Sequence, residues 1–245
     1  MKTNSFFVTT IQKSIRGKLP SLTKSRRSNG KRASRLQLRQ VAIPDAVLGR
    51  LTFILFRTMY PHMRKLSAAI PASAIRDMKT NYSEVLPKTM RLLTADLNHP
   101  RSKAAQAASS VGLIDLLNSD EIHSLGEMAS GKKLARPPDC QIICYENGDF
   151  TGPHTDHHPE NESAKSGFVD VHVMLSERSV LSQLLVYEAR PGLLNEVHEV
   201  GRGMALAVYH LPFWHYTTPL RPRSSKTKAR RWLLLASFDI ERRSA

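Results

Sequence analysis

Gln141-Ile-Ile-Cys-Tyr145-Glu-Asn-Gly-Asp149-Phe-Thr-Gly-Pro-His154-Thr-Asp156 is the stretch at which the chain changes its period. Before Pro137-Pro138 the apolar residues recur at three and four. Val47, Leu48, Leu51, Ile54 and Leu55 follow the helix-start pair Pro44-Asp45, and Val111, Leu113, Ile114 and Leu117 follow an Ala-rich run from Ala104. Asn118-Ser-Asp-Glu121 predicts the cap of a further short helix, to about Ala129, and Gly131 its stop. After Pro138 come short β-rich runs: Gln141–Tyr145, Val169–Leu175, Leu181–Tyr187, Met204–Tyr209 and Trp232–Phe238. Asn147-Gly148-Asp149, Pro191-Gly192, Gly201 with Gly203, and Pro219 with Pro222 mark the breaks. Helices first and strands after, with no helix between the strands, predict an α+β chain with an antiparallel sandwich or barrel core. The expected organisation is a helical layer over 41–136 and a β core over 137–245.

The same stretch carries the chemistry. His154 and Asp156 stand at i and i+2, so in extended chain they share a face, about 6–7 Å apart. Phe213-Trp-His215-Tyr-Thr-Thr-Pro219 offers a third ligand 59 residues after Asp156. Two imidazoles and one carboxylate on one side of an ion form the facial triad that suits non-heme Fe(II), with coordination positions left open.

These residues resemble the Fe(II)- and 2-oxoglutarate-dependent dioxygenases, in particular their prolyl-hydroxylase-like branch, over roughly 139–240. A Tyr-containing strand leads through Gly and Asp to H-x-D. Gly203-Met-Ala-Leu-Ala-Val-Tyr209 then runs to a distal His215 six residues on, and His215 to Pro219 keeps the H-x-x-x-P pattern. The resemblance implies a double-stranded β-helix (jelly-roll, cupin-like) core with N-terminal helices, and Fe(II) held by His154, Asp156 and His215. It further implies 2-oxoglutarate as cosubstrate, with release of succinate and CO2 as a substrate is hydroxylated. An Asp at 156 favours hydroxylation over halogenation, since no site is vacated for halide. The basic residue opening the last strand, which grips the far carboxylate of 2-oxoglutarate, is Arg231 or its neighbour Arg230, with Arg231 the better fit to Ser237-Phe238. Tyr145 shares an inward face with Gln141 and Ile143, from which its hydroxyl reaches the same carboxylate. The chain departs from the pattern in three places. Arg231 lies 16 residues beyond His215, Leu233 replaces a small residue, and Ser182-Gln183 stands where the family has paired glycines. The first departure leaves Arg221–Lys228 as a basic loop, read as solvated, with a role toward an anionic substrate as the alternative.

Other histidines compete for the ligand roles. His158 with Asp156 would suit a metal hydrolase, and His210 precedes His215 without the following H-x-x-x-P. His172 faces away from the valines around it, either into a cavity or as a core histidine.

Charge is unevenly placed. The 245 residues carry +15, from 36 Lys+Arg against 21 Asp+Glu, and are 41% hydrophobic, which excludes wholesale disorder. Residues 1–40 hold 11 basic and no acidic residues, leaving 41–245 at a net +4. Residues 1–40 are expected to be a disordered basic tail, with a transit peptide or a weak contact to nucleic acid or an anionic surface as alternatives. Cys140 and Cys144 are too far apart along one strand face to bridge easily, which suits a reducing, cytoplasmic setting, or an organellar one if 1–40 is a transit peptide. No run reaches the roughly 18–20 apolar residues of a membrane span. The rival readings are a basic nucleic-acid-associated protein with a non-catalytic barrel and a cupin-like metalloprotein without 2-oxoglutarate. The substrate, small molecule or protein, is not legible.

Overall fold

The computed structural model describes residues 6–17, 35–68, 89–154, 167–189 and 195–241. Helix α1 covers 6–17 and α2 Asp45–Thr58, followed by a 3-10 turn at Tyr60–His62. The Ala-rich segment forms two helices, α3 (Lys103–Ser110) and α4 (Leu113–Leu117), because Gly112 between them takes a left-handed φ of 74°. Helix α5 is Asp120–Ser130, and the Ser119 hydroxyl accepts the Ile122 amide at its N-terminus.

Thirteen strands are described: β1 Leu36–Val41, β2 Arg64–Ala68, β3 Met90–Asp96, β4 Asp139–Tyr145, β5 Phe150–His154, β6 Phe168–Ser176, β7 Val180–Ser182, β8 Leu184–Glu188, β9 Asn195–Glu199, β10 Met204–Leu211, β11 His215–Thr217, β12 Arg221–Pro222 and β13 Arg231–Asp239. Eleven form one antiparallel sheet in the order β1-β10-β6-β13-β4-β3-β5-β11-β8-β9, with β2 also on β3; β7 and β12 pair separately. Strand β3 turns the corner, pairing with β4 through Leu93–Asp96 and with β5 through Met90–Arg91. The sheet thus curls over itself into a double-stranded β-helix, the expected class.

Strand alternation decides what each face does. In β13, Trp232, Leu234, Ala236 and Phe238 join Val169, Val171, Val173 and Leu175 of β6 in the main core, against Leu51, Leu55, Leu117 and Leu125 of the helices. Their alternates, Arg231, Leu233 and Leu235 with His172 and Met174, face a cavity inside the curl. The helices therefore cover the convex face, and the concave face is left for the site.

Two expectations are corrected here. Residues 1–40 are not all tail: α1 buries Phe7, Ile11 and Ile15 completely in the main core, and β1 pairs with β10 along its whole length. A full burial is worth about 1.5–3 kcal/mol per such side chain, enough to hold a twelve-residue helix that composition alone marks as solvated. The 41–136 layer is also not purely helical, since β2 and β3 belong to the sheet. Cys140 and Cys144 are both free and buried on the convex face. Among the described residues no helix is long and apolar enough to cross a membrane.

Candidate active site

The turn between β4 and β5 sets the site's geometry. Asp149, almost fully buried, accepts the Glu146 amide at 3.0 Å and the Arg91 Nε at 2.9 Å, pinning the turn to β3. Gly152 then donates its amide to the Thr89 carbonyl at 2.6 Å. A Cβ at Gly152 would lie 2.8 Å from that oxygen, so glycine is what lets β5 approach. Two residues on, His154 stands directly opposite His215 of β11 in the ladder, with ring centroids 4.2 Å apart.

Both imidazoles are held alike. His154 Nδ1 lies 2.7 Å from the Gly152 carbonyl oxygen and His215 Nδ1 3.0 Å from that of Phe213. A carbonyl only accepts, so each Nδ1 carries a proton, and in the neutral ring Nε2 is then the nitrogen that can ligate. Asp156, the expected third ligand, lies outside the described residues, as do His157 and His158. Among the described residues no three His, Cys, Asp or Glu side chains converge as a metal cluster.

The rings border a cavity of about 550 Å³ inside the curl. At its closed end is Arg231, only 1% exposed. Its Nε donates to Gln183 Oε1 at 2.6 Å, and its guanidinium carbon sits 4.5 Å above the Tyr145 ring. Among the described residues no carboxylate lies within ion-pair distance of it, and burial pulls its pKa below the ordinary arginine value. The Tyr145 hydroxyl is 2.7 Å from Thr151 Oγ1, and Gln141 and Ile143 share the cavity face with Tyr145, as expected. Arg230 points the other way. It pairs with Glu146 at 3.3 Å and Glu177 at 3.5 Å and lies over the Phe56 and Tyr60 rings.

In the sequence Gln183 is only a departure from a glycine pair. It is completely buried, and besides holding Arg231 its Nε2 donates to the Asp149 and Thr218 carbonyls at 3.2 and 3.0 Å. A lone glutamine inside a β-rich run gives no signal of this. His172 faces the cavity, with its ring 4.1 Å from that of Tyr209, whereas His210 does not line it. Arg221, Arg223, Lys226 and Lys228 are exposed and line none of the cavity, so the solvated reading of that loop stands.

No protein-family model matches the chain, and no curated protein matches it in sequence. Solved structures do resemble it. A 2OG-Fe(II) oxygenase-family oxidoreductase from Burkholderia pseudomallei superposes with a TM-score of 0.52 at 14% identity, over 93% of this chain and 94% of that one. The non-heme α-ketoglutarate-dependent carbocyclase SnoK of nogalamycin biosynthesis gives 0.52 at 13% identity, over 88% and 83%. The epimerase SnoN, in complex with Fe3+, α-ketoglutarate and nogalamycin RO, gives 0.51 at 13% identity, over 92% and 87%. The chain has the fold of the 2OG-Fe(II) oxygenases.

Proposed function

Starting from that shared fold, we propose that the chain is an Fe(II)- and 2-oxoglutarate-dependent oxygenase that oxidises a substrate in the cavity, hydroxylation being the reaction expected. The observation that carries the reading is Arg231, a buried guanidinium that shares its cavity with the paired imidazoles and has no carboxylate partner among the described residues. Burying a cation in a low-dielectric site is costly unless an anion joins it. A carboxylate between Arg231 and Tyr145 supplies that partner. Arg231 gives a planar fork for a bidentate pair, and its Nε bond to Gln183 fixes the plane in which the fork lies. With Thr151 as donor to the Tyr145 oxygen, the Tyr145 proton is directed to the same carboxylate.

His154, His215 and Asp156 are assigned as the metal ligands. The two Nδ1–H groups, bonded to backbone carbonyls, keep both rings in the ligating tautomer. Fe(II) and 2-oxoglutarate held by these residues would supply O2 activation, with one oxygen atom going to succinate, formed with CO2 from 2-oxoglutarate, and the other to the substrate. Met174, Leu233 and Ile143 form an apolar band across the middle of the cavity and limit water there. Of the two arginines, Arg231 is assigned to the cosubstrate, because Arg230 already has two carboxylates.

The test is succinate release by the purified chain supplied with 2-oxoglutarate, O2 and ascorbate, with and without Fe(II). Iron-dependent succinate that vanishes in His215→Ala supports the reading. No succinate above the iron-free control, in a chain shown to be folded, overturns it.

A further inference from the structure

The concave face changes character along its length. Residues paired across adjacent strands form rows: Arg231 and Tyr145 at the closed end, then Leu233 with Met174 and Ile143, then Leu235 with His172 and Gln141, then Ser237 with Asp170 and Asp139. Asp96 is the partner of Gln141, and Asp239 follows Ser237 by two residues on the same face. One end is thus cationic and buried, the middle apolar, and the other end lined by four carboxylates. Asp96, Asp139 and Asp239 are exposed at the rim, so this acidic end is the mouth.

These carboxylates are not there to neutralise bases. The chain has 36 Lys+Arg, yet among the described residues none lies within ion-pair distance of Asp96, Asp139, Asp170 or Asp239. Burial first, and then the charges of Asp239 and Asp96, raise the pKa of Asp139. Deeper in, two further polar side chains carry atoms without hydrogen-bond partners among the described residues. Asp170 is 6% exposed and its Oδ1 has no hydrogen-bond partner among the described residues. His172 is 7% exposed and neither of its ring nitrogens has one. The nearest approach between the two, His172 Nε2 to Asp170 Oδ2, is 3.7 Å, beyond hydrogen-bond range. Buried polar atoms left open in this way are rare, and here both residues line the cavity.

We propose that the substrate of this cavity carries an ammonium or guanidinium group, received by Asp170 and His172 and drawn in by the rim carboxylates Asp96, Asp139 and Asp239. Such a group supplies several N–H donors and a positive charge, which answers both the open acceptors and the uncompensated negative charge. The proposal rests on the oxygenase reading for what happens to the substrate afterwards, but not for the binding itself.

Isothermal titration calorimetry of the full chain, under nitrogen with Fe(II) and 2-oxoglutarate, tests it. The probes are free L-lysine and L-arginine, and blocked pentapeptides with one central lysine or arginine, each against its norleucine counterpart. At least one cationic probe is expected to bind tenfold or more tighter than norleucine, and the free or peptide form that wins identifies the source of the cation. Asp170→Asn and, at the exposed rim, Asp139→Asn are each expected to weaken that probe by about tenfold, in line with the strength of one charge-assisted hydrogen bond. Binding of none of the cationic probes, equal affinity for norleucine, or wild-type affinity in both variants overturns the proposal. Tight 2-oxoglutarate binding without cation preference removes the subsite alone. Cation preference in a chain that binds no 2-oxoglutarate removes the oxygenase reading alone.

Discussion

Replacing Arg231 by Met separates a ligand-binding guanidinium from a structural one. A structural buried arginine would leave a carboxylate stranded on removal, but among the described residues this one has no carboxylate within ion-pair distance; its Nε bonds the Gln183 oxygen at 2.6 Å and it lies 4.5 Å over the Tyr145 face. What the variant loses is the partner of the incoming carboxylate. Truncating one side of a buried, hydrogen-bonded charge pair costs about 2–5 kcal/mol, which corresponds to about 30-fold to 5,000-fold in Kd. Calorimetric titration of 2-oxoglutarate into wild type, Arg231→Met and Arg230→Met measures it, with thermal unfolding to show that each variant is folded. Arg231→Lys keeps the charge but not the planar fork, and is expected between wild type and Met. Arg230→Met makes the same change of charge one residue away, where Glu146 and Glu177 already answer it, and is expected to leave 2-oxoglutarate affinity unchanged. Wild-type affinity in a folded Arg231→Met variant, or an equal loss in Arg230→Met, would refute the assignment.

Three further outcomes follow from the packing and charge. Asp139→Asn is expected to raise the melting temperature at pH 7. The folded-state pKa of Asp139 is above its ordinary 3.8, so its charge costs stability at neutral pH, and a scan at pH 3, where Asp139 is protonated folded or unfolded, should show the gain gone. Burial pushes Cys140 up to about 12 and Cys144 well above the ordinary thiol value, leaving about one thiolate in ten thousand for Cys140 at pH 8. Ellman's reagent should therefore label neither cysteine until denaturant is added, and prompt labelling of the native chain would contradict their placement. Ile11→Ala, in the amino-terminal helix, is expected to destabilise the fold by about 2–5 kcal/mol in urea titration; no measurable loss would mean that the helix does not belong to the core.

What was legible in the sequence was what alternation makes legible. The runs at Gln141–Tyr145, Val169–Leu175 and Trp232–Phe238 fall within β4, β6 and β13 because one face of each is apolar and packs on helices. Strand β3, Met-Arg-Leu-Leu-Thr-Ala-Asp, was not legible. Leu92 belongs to a small cluster by the cavity and Leu93 to the main core, so the period-two signal cancels. The run Leu181–Tyr187 divides into β7 and β8 at Gln183, whose bonds reach across the fold to Asp149, Thr218 and Arg231, far beyond any local window. Phe7, Ile11 and Ile15 have helical spacing, but the lysines and arginines around them matched a solvated tail. At the site, His154, His215, Arg231 and Tyr145 line one cavity. The choice between Arg230 and Arg231 was a matter of which face each side chain takes, and the carboxylates at the mouth, scattered from 96 to 239, share no motif.

The most direct measurement of the central claim is anaerobic titration of Fe(II) and 2-oxoglutarate into the metal-free chain, followed by visible absorption and metal analysis. One iron per chain, with a charge-transfer band that needs both additions and is lost in His154→Ala and in His215→Ala, is the result this account predicts. A folded chain that binds no iron, or whose iron and spectrum are unaltered by both substitutions, would contradict it.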